Sequence, residues 1–245
     1  MDGPRVTRRG FLRGVAGSSL FLAGCHSTPA APPNVVVVLI DQLRKDHAER
    51  EMPRINALAR RGVAFEEMRS TAPWTYPSVI SLFSGLYPQQ HGADGHLTNE
   101  HLLGRFEPGV PLLHKILRSA GYTTAAFITN PFLLRWNAFH RGFDTFDAHF
   151  IKSQGPIRPS YPKVWVPETM FANSVNEEIL AQFDLRPRTD PEFVYVHYID
   201  VHGPWRGAPF PQSYSESIRF VDEKVAEIYA YFMERYNGEL LFFVT

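Results

Sequence analysis

Apolar positions along this chain fall into short unbroken runs separated by amphipathic stretches, the pattern of strands alternating with helices. Val35 to Ile40 is six apolar residues, mostly β-branched and without alternation, which predicts a parallel strand buried on both faces. Thr124 to Thr129 and Phe193 to Tyr198 are further strand candidates, and Leu240 to Thr245 begins a last one. Between them the spacing predicts helices over Pro53 to Arg61, with proline at the start and Gly62 at the end, and over Val110 to Ala120, stopped by Gly121. Glu168 to Phe183 and Ser215 to Tyr236 complete the helical set. Residues 131 to 167 are rich in aromatics and prolines with no clean period and read as a long decorated loop region able to wall a cleft. Alternating strands and helices imply an α/β sandwich around a mainly parallel sheet.

One stretch, residues 71–92 (TAPWTYPSVISLFSGLYPQQHG), carries chemistry as well as pattern. Pro77 suits a first helical turn, Ser78 to Ser84 can continue it and Gly85 supplies a stop, so Thr75 is expected just ahead of a helix N-terminus. Backbone N–H groups and the positive end of the helix dipole bind sulfate or phosphate oxygens at such a place, and an adjacent hydroxyl can attack the central atom. Asp41 follows directly on the first strand. In open α/β sheets ligands bind beyond the strand C-termini, and a strand-ending carboxylate there serves either as a turn cap or as a hard oxygen ligand.

Taken together, Asn34-Val-Val-Val-Val-Leu-Ile-Asp41, Thr75 with Pro77 and Ser78, and Leu82 through Gly92 resemble the sulfatase family of the alkaline phosphatase superfamily. Ala120 to Phe127 with Gly142-Phe-Asp144, and Tyr195-Val-His197-Tyr-Ile-Asp200-Val-His202-Gly203-Pro204-Trp205, also look like family segments. The resemblance covers roughly residues 34–245. It implies an alkaline-phosphatase-like three-layer sandwich and a metal-dependent enzyme acting on sulfate or phosphate esters. Asp41 and Thr75 are the implied metal ligands, Thr75 the nucleophile and His202 the histidine that contacts the ester or protonates the leaving group. Asn130 lies near the place where many sulfatases carry a sulfate-binding lysine and histidine, which makes it, with Asp200, a candidate substrate contact. His197 and His91 are expected to pack structurally.

The departures from the family pattern matter as much. Threonine cannot be oxidised to the catalytic aldehyde, and Val79 replaces the arginine of the maturation motif, so no formylglycine is expected. A threonine alkoxide on a metal is the nucleophile of phosphoryl-transfer branches of the superfamily, which tilts the substrate toward phosphate esters. Gln42 stands where many sulfatases have a second aspartate, which argues for fewer acidic ligands and a single metal. The metal would be Ca²⁺, Mg²⁺ or Mn²⁺, with Zn²⁺ the alternative in phosphate-processing relatives. A transferase of the phosphoethanolamine or phosphoglycerol type, and a catalytically silent lipoprotein that binds an anionic glycan, are the competing readings.

Composition narrows the setting. Lys plus Arg and Asp plus Glu are both 25, so no basic excess points to nucleic acid. Thr7-Arg8-Arg9-Gly-Phe11-Leu12-Arg13 reads as a twin-arginine export motif, followed by an apolar run and Leu22-Ala23-Gly24-Cys25, which resembles a lipoprotein signal cut before Cys25. The run is under half of the ~20 residues that span a bilayer. Residues 1–25 are therefore expected to be a signal ending in the lipidated Cys25, residues 26–33 a proline-rich tether, and residues 34–245 the catalytic domain, exported and anchored at the cell envelope. Without residues 1–25, which hold four arginines and Asp2, 21 basic and 24 acidic residues remain. The only cysteine is Cys25, which leaves no catalytic thiol and no internal disulfide. Sulfatases continue from the strand matching Leu240 to Thr245 into a Ser/Ala-Asp-His/Asn-Gly stretch and a smaller subdomain. The expectation is thus a domain whose C-terminal part is missing and whose metal cage is incomplete.

Overall fold

A computed structural model describes residues 31–93, 106–133, 138–148, 171–188, 191–203, 211 and 213–245. The unit spanning Pro32–Thr245 is built on a five-stranded, all-parallel sheet. Its strands are β1 (Asn34–Ile40), β2 (Thr123–Ile128), β3 (Thr145–Asp147), β4 (Glu192–Tyr198) and β5 (Leu240–Val244), in spatial order β3-β2-β4-β1-β5. β1 lies between β4 and β5, with Val36 opposite Val194 and Phe242. The absence of alternation in β1 has its reason here. Val36 and Val38 turn to one face and Val35 and Val37 to the other, and both faces are covered by helices.

On one face lie α1 (Lys45–Glu51), α2 (Pro53–Ala59), α6 (Ala172–Asp184) and α7 (Tyr214–Arg235), whose apolar residues meet Val36, Val38, Phe127, Val194 and Val196. On the other lie α3 (Thr75–Ser84) and α5 (Leu113–Ser119), with the short α4 (Pro88–His91) and a 3₁₀ turn at Pro131–Leu133. Phe83 of α3 anchors that layer, meeting Tyr195 and Phe139 edge-on with ring centres 4.8 and 4.9 Å apart. Burying a side chain of this size contributes ~1.5–3 kcal/mol. The three-layer sandwich is therefore the observed architecture.

Several details depart from the expectations. The helix around Pro77 begins at Thr75 itself, with Trp74 as its N-cap, because the first N–H groups of a helix have no intrahelical partner and Pro77 at its third position loses nothing. α1 buries no residue and so has no apolar period to find. It is supported instead by pairs four apart, Lys45–Glu49 at 3.6 Å, Arg50–Asp46 at 3.8 Å and His47–Glu51 at 2.8 Å. β3 is three residues long, and its entry is tied down by Asp144 Oδ2, which accepts from Thr124 N and Thr124 Oγ1, each at 2.9 Å. The helix expected from Val110 starts at Leu113, and the one expected from Glu168 is described from Ala172.

Candidate active site

Three adjacent strands deliver the site at their C-terminal ends, where an open parallel sheet binds its ligands. Asp41 follows β1, its N–H bonded to Tyr198 O of β4 at 2.9 Å. Asn130 follows β2, and the preceding Thr129 is fixed to His197 O through its hydroxyl at 2.6 Å. His197 lies within β4, and Thr75 opens α3 on the face above.

The side chains of these four residues converge on one atom. Asp41 Oδ2 accepts from Asn130 Nδ2 at 2.6 Å and from Thr75 Oγ1 at 3.0 Å, with His197 Nε2 at 3.4 Å. Asn130 Nδ2 also lies 3.3 Å from Thr75 Oγ1. The amide cannot turn over without loss, since its oxygen accepts from Phe132 N at 2.8 Å. Asn130 and His197 are buried, at 1% and 0% exposure, while Thr75 is half-buried and open to an incoming ligand. Burial pushes the Asp41 carboxyl up, but the hydrogen bond from His197, the Thr75 hydroxyl and the charge of His202 outweigh it and hold the group below the usual carboxylate range. Asp41 is consequently an ionised carboxylate and a poor base. It orients the Thr75 proton without being able to remove it.

His202 stands exposed on the turn after β4, where its N–H bonds Ile199 O at 2.8 Å. Its Nδ1 donates to Gly203 O at 2.8 Å, which leaves Nε2 as the ring atom available to a ligand. Asp200 does not join the cluster. Expected to touch substrate, it is 3% exposed, and its Oδ1 accepts from Ala172 N at the start of α6 at 2.9 Å. Oδ2 has no hydrogen-bond partner, and burial raises the carboxyl to about 7. It ties α6 to the His202 turn from inside.

His197 is the residue underestimated from sequence. It packs as expected, yet its ring also faces Asp41, and Tyr195 OH lies 2.8 Å from its Nδ1. His91 keeps a structural role: its Nδ1 accepts from Ala93 N at 3.1 Å, so Nε2 donates to Ser81 Oγ at 2.9 Å. Beside Thr75, Trp74 and Phe132 meet edge-on with ring centres 5.9 Å apart. Trp136, Trp165, Trp205, Cys25 and the arginine pair lie outside the described residues.

The Asp41 carboxylate and Thr75 hydroxyl are hard oxygen donors of the kind Mg²⁺, Ca²⁺ and Mn²⁺ take, so the residues present fit part of a divalent-metal shell. Among the described residues no group of three His, Cys, Asp or Glu side chains forms a cage, and no helix is long and apolar enough to cross a membrane.

The family model described as Sulfatase matches residues 33–244. The chain belongs to the sulfatase family. A curated relative, the N-acetylgalactosamine-6-sulfatase of Rattus norvegicus, is 25% identical over 248 residues, covering 80% of this chain and 46% of its own. The chain thus spans about half the length of the curated relatives it matches. Among solved structures it is similar to Ps i-CgsB in complex with k-i-k-neocarrahexaose, with a TM-score of 0.64, 19% identity and coverage of 86% of this chain and 57% of that one. An alkaline phosphatase superfamily protein from Vibrio parahaemolyticus matches with a TM-score of 0.60, 16% identity and coverage of 87% and 54%. The C-terminal periplasmic domain of EcEptC from Escherichia coli, a complex with Zn, matches with 0.57, 15% and coverage of 87% and 63%. The likeness shows a fold that this sulfatase-family domain shares with these proteins, one of which is described as a member of the alkaline phosphatase superfamily.

Proposed function

We propose that this sulfatase-family domain transfers the sulfuryl or phosphoryl group of an ester to Thr75 and then to water, with phosphate esters the better substrates. The observation that carries the reading is the convergence of Thr75 and Asn130 on the ionised Asp41 at the mouth of α3. Asp41 and Thr75 would hold a divalent ion. When bound, the ion lowers the pKa of the coordinated hydroxyl and offsets charge on the transferred group. Asn130, with its amide orientation set by Phe132 N, holds Thr75 Oγ1 in line from one side while the N-terminus of α3 faces the anionic oxygens. His202, which donates to Gly203 O through Nδ1, gives a proton from Nε2 to the leaving oxygen as the imidazolium, and the proton of Thr75 is released to solvent as its hydroxyl ionises. The leaving group is a sugar or other small alcohol, a choice supported by the glycan in the complex of Ps i-CgsB.

Thr75→Ala and Thr75→Ser separate this from a binding-only protein. The alanine variant should lose nearly all turnover of 4-nitrophenyl phosphate and 4-nitrophenyl sulfate in Mn²⁺, and the serine variant should keep part of it. Turnover in Thr75→Ala equal to the parent contradicts the mechanism.

We also infer an exported lipoprotein, on the adjacency of Arg8-Arg9 and Leu22-Ala23-Gly24-Cys25. Cys25→Ser should move the protein from the membrane to the soluble fraction of a bacterial host. An unprocessed cytoplasmic form as the main species would oppose it.

A further inference from the structure

The residue after Asp41 is held in a conformation that an L side chain resists. Gln42 has φ of +59°, in the left-handed region, where its β-carbon crowds the backbone. Two residues later Arg44 is already the N-cap of α1, so the chain reverses sharply between strand and helix. The turn does little to hold itself, since Leu43 N reaches Ile40 O only at 3.4 Å.

The clamp comes from the other end of the chain. Tyr214, the first residue of α7, donates its phenol proton to Gln42 O at 2.7 Å and accepts from Arg44 N at 2.9 Å. One hydroxyl thus closes both sides of the turn. The ring is fixed in its own right, edge-on to His47 of α1 with centres 4.9 Å apart. His47 Nδ1 lies 2.8 Å from Glu51 Oε1, which also accepts from Ser215 Oγ at 3.2 Å, and Arg219 pairs with Glu51 Oε2 at 3.2 Å. The first turn of α7 therefore grips both the turn and the helix that follow Asp41.

We propose that Tyr214 is the positioning residue for Asp41, holding Gln42 left-handed so that the carboxylate turns back onto Thr75 and Asn130. This goes beyond the ester-transfer reading, and only the metal arm of the test below rests on that reading.

Tyr214→Phe keeps the ring and its contact with His47 and removes only the hydroxyl. In the full chain, the amide of Arg44 should exchange about tenfold faster or more in the variant, while the amides of β1 and β4 stay protected. The Asn130 side-chain NH₂, followed by ¹⁵N NMR, reports the bond to Asp41 Oδ2 without any metal. Its protons should also exchange severalfold faster, a change that a role confined to bracing α1 would not produce. Adding Gln42→Gly, which adopts the left-handed conformation freely, should restore most of the Asn130 signal. In the metal arm, Mn²⁺ titration should show affinity about tenfold weaker for Tyr214→Phe, as for loss of an outer-shell support, and again rescued by Gln42→Gly. A folded Tyr214→Phe variant with parental Arg44 and Asn130 exchange overturns the proposal. A parental chain that takes up no Mn²⁺ counts against the metal reading, and the exchange data still decide the role of Tyr214.

Discussion

The hydroxyl of Tyr195 lies 2.8 Å from Nδ1 of His197, two residues on along the same strand and on the same face. Burial drives the Tyr195 phenol well above its ordinary pKa and the nearby Asp41 charge adds to this, so the group stays protonated and donates. With Nδ1 accepting, Nε2 carries the proton and faces Asp41 Oδ2. A tyrosine three links from Thr75 thus sets which ring nitrogen the carboxylate sees. Tyr195→Phe keeps the edge contact with Phe83 and should cost ~1–2 kcal/mol of stability in urea unfolding. The ¹⁵N shifts of His197 should move from a single tautomer to a mixture. Unchanged shifts would show that the phenol does not select the tautomer.

Two buried groups should pull the pH dependence of stability in opposite directions across the same window. His114 stacks on Phe143 at 4.0 Å, and burial lowers its pKa to about 4 although Nε2 bonds Arg141 O at 3.1 Å. The unfolded histidine takes a proton near 6.5 and the folded one does not until about 4, so stability falls as pH drops through that interval. Asp200 does the reverse. Its carboxyl ionises near 3.8 when unfolded and near 7 when folded, so stability is lost as pH rises through that interval and then levels off. Urea unfolding at several pH values should show His114→Phe flattening the acid loss and Asp200→Asn steepening it. Parallel curves for both variants would contradict the assignment.

Asp222 of α7 is fully buried and accepts from Arg54 N at 3.1 Å and Ile55 N at 2.9 Å, capping α2 from another helix. The local N-cap, Met52, offers no acceptor. Asp222→Ala should therefore cost ~2–3 kcal/mol in thermal or urea unfolding, and Asp222→Asn about half, because one acceptor remains. A loss below ~0.5 kcal/mol for the alanine variant would mean that water replaces the carboxylate.

Much of this was legible in the chain because burial writes itself into composition. β1 and β4 are apolar runs because both faces are covered, and α7 shows its apolar stripe over 22 residues. Asp41 and Thr75 could be picked out because they end and open elements whose boundaries are marked by β-branched residues, proline and Gly85. α1 could not, since it buries no residue fully and stands on ion pairs. The role of His197 was hidden because a polar residue inside a buried strand looks like packing until its neighbours are known, although Tyr195 at the same-face position two residues earlier was a usable hint. Asp200 misled for the opposite reason. A carboxylate two residues before His202 suggests a substrate contact, and only the placement of α6 shows that it points inward.

The proposed reaction passes through a covalently modified Thr75. The direct measurement is to incubate the protein with Mn²⁺ and 4-nitrophenyl phosphate or 4-nitrophenyl sulfate, quench rapidly in acid and map the modified peptide by mass spectrometry. One phosphoryl or sulfuryl group is expected on Thr75, absent in Thr75→Ala and sharply reduced in Asp41→Ala. Ester turnover with the group on another residue, or turnover that survives in Thr75→Ala, would contradict it.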